Sequence, residues 1–182
     1  MALKNTKDQY GSVAKWMHWI SALTIIGLFA LGLWMRSLSY YDPWYKDGPD
    51  LHRSIGVVLA VLILARLVWR WMNPQPHDPA HARWERVVAS WTHGLFYVLL
   101  FALFIAGFLI STADGRSMDV FGLFSIPSVI KQAGLEKTAG EIHEILAFTV
   151  IGLAVFHVIG ALKHHVIDKD RTLLRMLPER KK

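Results

Sequence analysis

The chain has 182 residues, 53% of them hydrophobic, a formal net charge of +6 and no cysteine. That length suits a single domain over residues 1–182. Without cysteine there is no disulfide framework, thiolate-bound iron–sulfur cluster, cysteine zinc site or covalent c-type haem, and the basic residues gather at the ends of apolar segments and in the tail, which fits membrane topology and argues against a nucleic-acid partner.

A basic arm with Lys4, Lys7 and Lys15 precedes the first apolar block, about residues 16–35. This block is too long for a secretory signal. It carries Trp16, His18, Trp19 and Trp34 and no small-residue cleavage site follows it, so it reads as a retained helix. Tyr40 to Tyr45 form an aromatic interfacial turn, and the second block runs from about 55 to 71. Asn73-Pro74-Gln75-Pro76 ends it and opens a basic connection. The third block covers about 91–110. A longer segment, about 112–140 with Gly115, Gly122, Pro127 and Gly134, can lie over the bundle as a cap with room for one short helix. The fourth block runs from about 142 to 162, and a basic tail follows.

Each block is roughly 17–21 residues, enough to cross a hydrocarbon core at about 1.5 Å per residue. Most of the eight Trp lie at block edges, where amphipathic rings favour the headgroup region. The expected fold is an all-α integral membrane protein, an up-down bundle of four transmembrane helices. Thirteen Lys and Arg fall in the arm, the second connection and the tail, against six in the other two loops. The positive-inside rule then puts both termini in the cytoplasm.

Four of the nine His fall in or at the ends of spans, where ionisable groups are expensive and usually functional. His18 lies near the inner start of the first span and His52 at the outer start of the second. His143 and His157 share the fourth. Their spacing of 14 residues amounts to about 21 Å of rise and falls only about 40° short of four full turns, so both project from nearly one face. His52 matches the depth of His143, and His18 lies nearer that of His157. Two axial pairs, one near each membrane face, enclose two flat cofactors in the bundle core. Bis-imidazole ligation leaves no open iron position, so the natural role is outer-sphere electron transfer.

Taken singly, a His at a membrane helix end is more often an interfacial hydrogen-bonding residue, and spacing alone leaves His93 as an alternative to His18. His77 and His81 read as solvated loop residues, and His164-His165 as lying at the inner surface. Arg66 lies 14 residues below His52, on its face; a buried Arg needs an anionic partner, and a haem propionate competes here with snorkelling to the surface. Arg53 stands in the same relation to the outer cofactor. A rival reading, a small transporter whose His bind metal or protons, gives no reason for the shared face of His143 and His157.

The set His18-Trp19, His52-Arg53-Ser54-Ile55-Gly56, Arg66 with Arg70, Tyr97 to Phe101, His143-Glu144 with His157, and Thr172 to Pro178 resembles the bacterial cytochrome b561 family of di-haem inner-membrane proteins over nearly the whole chain. The resemblance implies two haems b, the inner one between His18 and His157 and the outer one between His52 and His143, with His93 a non-ligand. It further implies electron transfer involving ubiquinone and, for close relatives, oxidation of superoxide at the periplasmic side. Arg53, Arg116 and Lys131 then serve as a positive surface that steers the anion. His164 is the candidate proton carrier for the quinone, with Lys163 or Arg70 near its oxygens, although all three also read as ordinary interfacial basic residues. The alternative is a haem-bearing subunit that passes electrons between a docked dehydrogenase or hydrogenase and the quinone pool.

Overall fold

The computed structural model describes residues 2–76 and 82–177. His77 and His81, and the end of the tail from Pro178 on, lie outside the described residues. Helix α1 spans Ser12–Met35, α2 Trp44–Met72, α3 Arg83–Thr112 and α4 Leu135–Val166. All four are long and apolar enough to cross a membrane. A short antiparallel hairpin, β1 Met118–Val120 and β2 Phe124–Ile126, precedes α4, and a single turn of helix, α5 Thr172–Met176, follows it.

The helices extend beyond the apolar blocks because hydropathy marks only the hydrocarbon core, whereas backbone hydrogen bonding continues into the headgroup region. Helix α2 opens at Trp44 and carries Asp47, Asp50 and Arg53 before its apolar run begins. Helix α4 begins after Gly134, whose φ of +84° is readily reached only without a Cβ. The cap is the main difference from expectation. The segment before α4 folds as the hairpin rather than a short helix.

Helix α1 packs on α2 and α3 on α4, with a lighter seam between α2 and α3. Helix α4 packs closely on neither α1 nor α2. Long side chains span the α1–α4 gap instead: Phe29 meets Phe148 edge to face at 5.2 Å, and Arg36 pairs with Glu144. The core is Leu59 and Ile63 from α2, Leu100 from α3 and Val150 from α4. Val150 stands seven residues from both His143 and His157, so this apolar layer lies at mid-depth. Most other large apolar side chains face outward, as the bilayer requires of so thin a bundle.

One end of the bundle is closed by chain segments distant in sequence. Asn5 Nδ2 donates to the Pro74 carbonyl (3.0 Å), and Trp19 Nε1 to the Met176 carbonyl (2.9 Å). Each such bond contributes about 1 kcal/mol net. At the opposite end the hairpin lies over α2 and α3 and buries Met118 and Val120. Its turn holds Phe121 and Gly122 at positive φ. Phe121 is kept there by its N–H bond to Ser54 Oγ (3.0 Å), and Gly122 by its bond to Asp119 (2.7 Å).

Candidate functional site

The spans bring the four singled-out histidines together as two pairs across the α4 gap. The ring centroids of His18 and His157 are 6.3 Å apart, and those of His52 and His143 are 6.2 Å apart. The interplanar angles, 64° and 66°, also agree. A metal–imidazole bond of about 2 Å on each side, plus the two ring radii, sums to about 6 Å. Each pair therefore fits a single metal between its rings. His93 lies closer to His157, at 5.4 Å.

The second contacts differ between the two pairs. His143 Nδ1 donates to the Leu103 carbonyl (3.0 Å), which leaves Nε2 with its lone pair, the tautomer a metal ligand needs. His52 Nδ1 is buried without a hydrogen-bond partner, as are Arg53 Nε and Trp69 Nε1. Such atoms are uncommon in a finished interior and mark places where a polar group belongs. Two of the three adjoin the outer pair.

Arg66 Nη2 lies 2.9 Å from His18 Nδ1. A guanidinium cannot lose its proton, so here it donates and Nδ1 accepts. Beside it a cleft of about 40 Å³ opens among Arg66, Trp69, Arg70, His93, Tyr97 and Tyr10. Burial holds the Tyr10 phenol above its usual pKa, against the opposing pull of Arg70, Arg66 and Arg175. At neutral pH Tyr10 is therefore a neutral donor. Arg70 itself donates to Gln75 Oε1 (2.9 Å).

The remaining candidates fall elsewhere. His164 Nδ1 lies 2.8 Å from Asp170 and 2.9 Å from Asp168, and Lys163 bridges Glu85 (2.6 Å) and Asp168 (2.7 Å). This cluster joins the start of α3 to the end of α4. On the other face, Arg53 pairs with Asp50 (2.6 Å) and Arg116 with Asp114. Two of the three cations expected to form a positive surface thus carry a carboxylate partner. Sequence reasoning missed the close approach of Gly107 and Gly32 to the rings. A Cβ built on Gly107 falls 3.2 Å from His143 Cε1, and one on Gly32 falls 3.5 Å from His52 Cε1.

The profile of prokaryotic cytochrome b561 matches residues 9–179. The chain is 47% identical to Cytochrome b561 homolog 2 of Escherichia coli K12, covering 97% of this chain and 95% of that protein. It is 32% identical to a Probable superoxide oxidase CybB of Yersinia pestis, covering 95% and 98%, and 28% identical to Cytochrome b561 homolog 1 of E. coli K12, covering 96% and 99%.

Proposed function

The chain belongs to the prokaryotic cytochrome b561 family of membrane electron-transfer proteins, a family that implies haem b, and on that premise we propose that it carries two haems b and uses them to oxidise superoxide at the periplasmic face and reduce ubiquinone. The observation that carries this reading is the matched geometry of the two His pairs, at 6.3 and 6.2 Å across a gap that the helix backbones leave open. His18 and His157 would hold the inner haem, and His52 and His143 the outer one. A haem held between each pair would supply one-electron redox chemistry.

The protein side chains orient and insulate. His143 arrives with its tautomer already fixed by Leu103. His18 does not, because its Nδ1 accepts from Arg66. An imidazole that ligates through its far nitrogen needs Nδ1 protonated, so cofactor binding requires Arg66 to turn to an anionic partner. A haem carboxylate would be such a partner for Arg66, with Trp69 Nε1 as a further donor in the same cleft. Arg53 serves the outer haem through its unpartnered Nε. Between the pairs, the layer of Leu59, Ile63, Leu100 and Val150 keeps water out of mid-membrane, so charge crosses there as electrons rather than protons.

The chemistry balances as two superoxide ions, each losing one electron to leave dioxygen, and one quinone gaining two electrons and two protons. The protons must come from the face where the quinone is reduced. His164, held by Asp168 and Asp170, is the proton carrier in this reading; its carboxylate partners form a chain of protonatable groups reaching Glu85 through Lys163. The superoxide specificity is supported by the kinship with the Yersinia protein named a probable superoxide oxidase. The count of Lys and Arg supports cytoplasmic termini and an inner-membrane location.

Purified protein in detergent, supplied with a superoxide generator and a soluble ubiquinone, is expected to form ubiquinol with no other subunit present. Because Asp50 and Asp114 offset two of the three outer cations, raising the salt concentration should slow the reaction only modestly. Failure to form ubiquinol alone, with recovery when a dehydrogenase partner is added, establishes the docked-subunit role instead. His164→Ala is expected to slow ubiquinone reduction by roughly 10²-fold or more while leaving both haem spectra unchanged. A full rate in that variant removes His164 from the mechanism.

A further inference from the structure

The N-terminal arm folds back over the start of α1 by contacts that electron transfer does not use. Gly11 N–H donates to Asn5 Oδ1 (2.9 Å), and Ser12 N–H to the Ala2 carbonyl (3.0 Å). The backbone of Leu3 and Lys4 then presses directly on Gly11. A Cβ there would stand 2.3 Å from the Leu3 oxygen, so only glycine admits the fold. Asn5 ties the arm to Pro74 at the far end of α2. The arm is therefore a built feature rather than a loose leader.

Under it lies a polar cleft of about 60 Å³ lined by Lys4, Thr6, Gln9, Tyr10, Ser12 and Lys15. That space is several times the roughly 10–15 Å³ a single water needs. Lys15 is only 6% exposed, and among the described residues its ammonium has no ion pair or side-chain hydrogen bond. Its ammonium is not among the buried atoms that lack a partner, so it opens onto the cleft it lines and offers its charge there. The first turn of α1 adds to the imbalance, with no acidic residue and no side-chain cap to offset the positive end of the helix. The arm's one acid, Asp8, does not line the cleft. Trp16, 64% exposed beside Lys15, is an interfacial anchor that sets the cleft at headgroup depth.

We propose that this cleft binds a phosphate group, with Lys15 and Lys4 supplying the charge and the Gln9 side-chain amide a neutral hydrogen bond. At this depth the phosphate comes from an anionic phospholipid headgroup or from phosphate in solution. The site is independent of the haem reading and needs no redox step.

The test is the thermal unfolding midpoint of the full-length, cofactor-loaded protein in detergent, followed by Trp fluorescence. Phosphatidylglycerol is added to one sample, diacylglycerol of the same chains to a second, and sodium phosphate against sodium chloride at equal ionic strength to a third. Phosphatidylglycerol is expected to raise the wild-type midpoint by roughly 2–4 °C and diacylglycerol to leave it unchanged. A saturable rise with sodium phosphate alone also supports the site and identifies soluble phosphate as its occupant. Lys15→Gln should lose the shift, Lys15→Arg keep it, and Lys7→Gln, exposed and outside the cleft, keep it too. Lys4→Gln, a substitution on the exposed arm, should reduce it, so the result does not rest on one variant. No wild-type shift with either source of phosphate, or a full shift in both Lys15→Gln and Lys4→Gln, overturns the proposal.

Discussion

His18→Ala is expected to lower the haem content from about two per chain to about one, and His93→Ala to leave both haems in place. Both residues face His157, and sequence spacing does not separate them. Geometry does. The His18–His157 separation of 6.3 Å reproduces the 6.2 Å of the other pair, while His93 stands at 5.4 Å, closer than two metal bonds and two ring radii allow. His18 is held by Arg66, which an anionic cofactor can draw away. A pyridine haemochrome assay counts the haems. Redox titration then shows whether the survivor titrates as the wild-type outer haem does. Loss of a haem in His93→Ala and retention in His18→Ala would reverse the assignment. Retention in both would mean that the inner ligand lies elsewhere.

The four spans and the shared face of His143 and His157 were legible in the sequence because each rests on helical geometry alone, whereas the choice of His18 over His93 came from the family resemblance. Four apolar blocks leave little choice of fold in a bilayer, and 14 residues between His143 and His157 fix a shared face whatever the packing. The pairing of Arg66 was harder to read. Its face and depth followed from the same arithmetic, but its present partner is His18, and a hydrogen bond between residues 48 positions apart has no local signature.

What the sequence withheld was structure stabilised by contacts distant along the chain. The hairpin has strands of three residues, too short for a periodic signal, and it is held by Ser54 from another element. The closure of one end of the bundle by Asn5, Pro74, Trp19 and Met176 is of the same kind. The expected positive surface is weakened for a nearer reason: Asp50 and Asp114 stand three and two residues from the Arg with which they pair. Those pairs were within reach of a reading that weighed acidic neighbours together with the basic ones.

Gly107→Ala is expected to weaken the outer haem selectively, by roughly 10- to 100-fold in affinity, whereas Gly32→Ala should be tolerated. A Cβ at Gly107 would meet His143 at 3.2 Å from Cε1 and 3.3 Å from Nδ1, so the ring must move by some tenths of an ångström. The ring is held by the 3.0 Å bond from Nδ1 to Leu103, and that bond fixes both its orientation and its tautomer. Moving it degrades the ligand while leaving it present. At Gly32 the nearest ring atom, His52 Cε1, is 3.5 Å away, ordinary contact distance. Ala in a helix interior is intrinsically favoured over Gly by about 1 kcal/mol, so a loss confined to one haem cannot be ascribed to a weaker helix. Haem content and the potential of each haem, measured beside the thermal unfolding midpoint, separate the cases. Unchanged haem content and potentials in Gly107→Ala would show that the ring accommodates the methyl group and that Leu103 does not fix the ligand. A fall in unfolding temperature with both haems affected equally would assign Gly107 to helix packing. Loss at the outer haem alone would show that the close approach of α3 to α4 exists to seat His143.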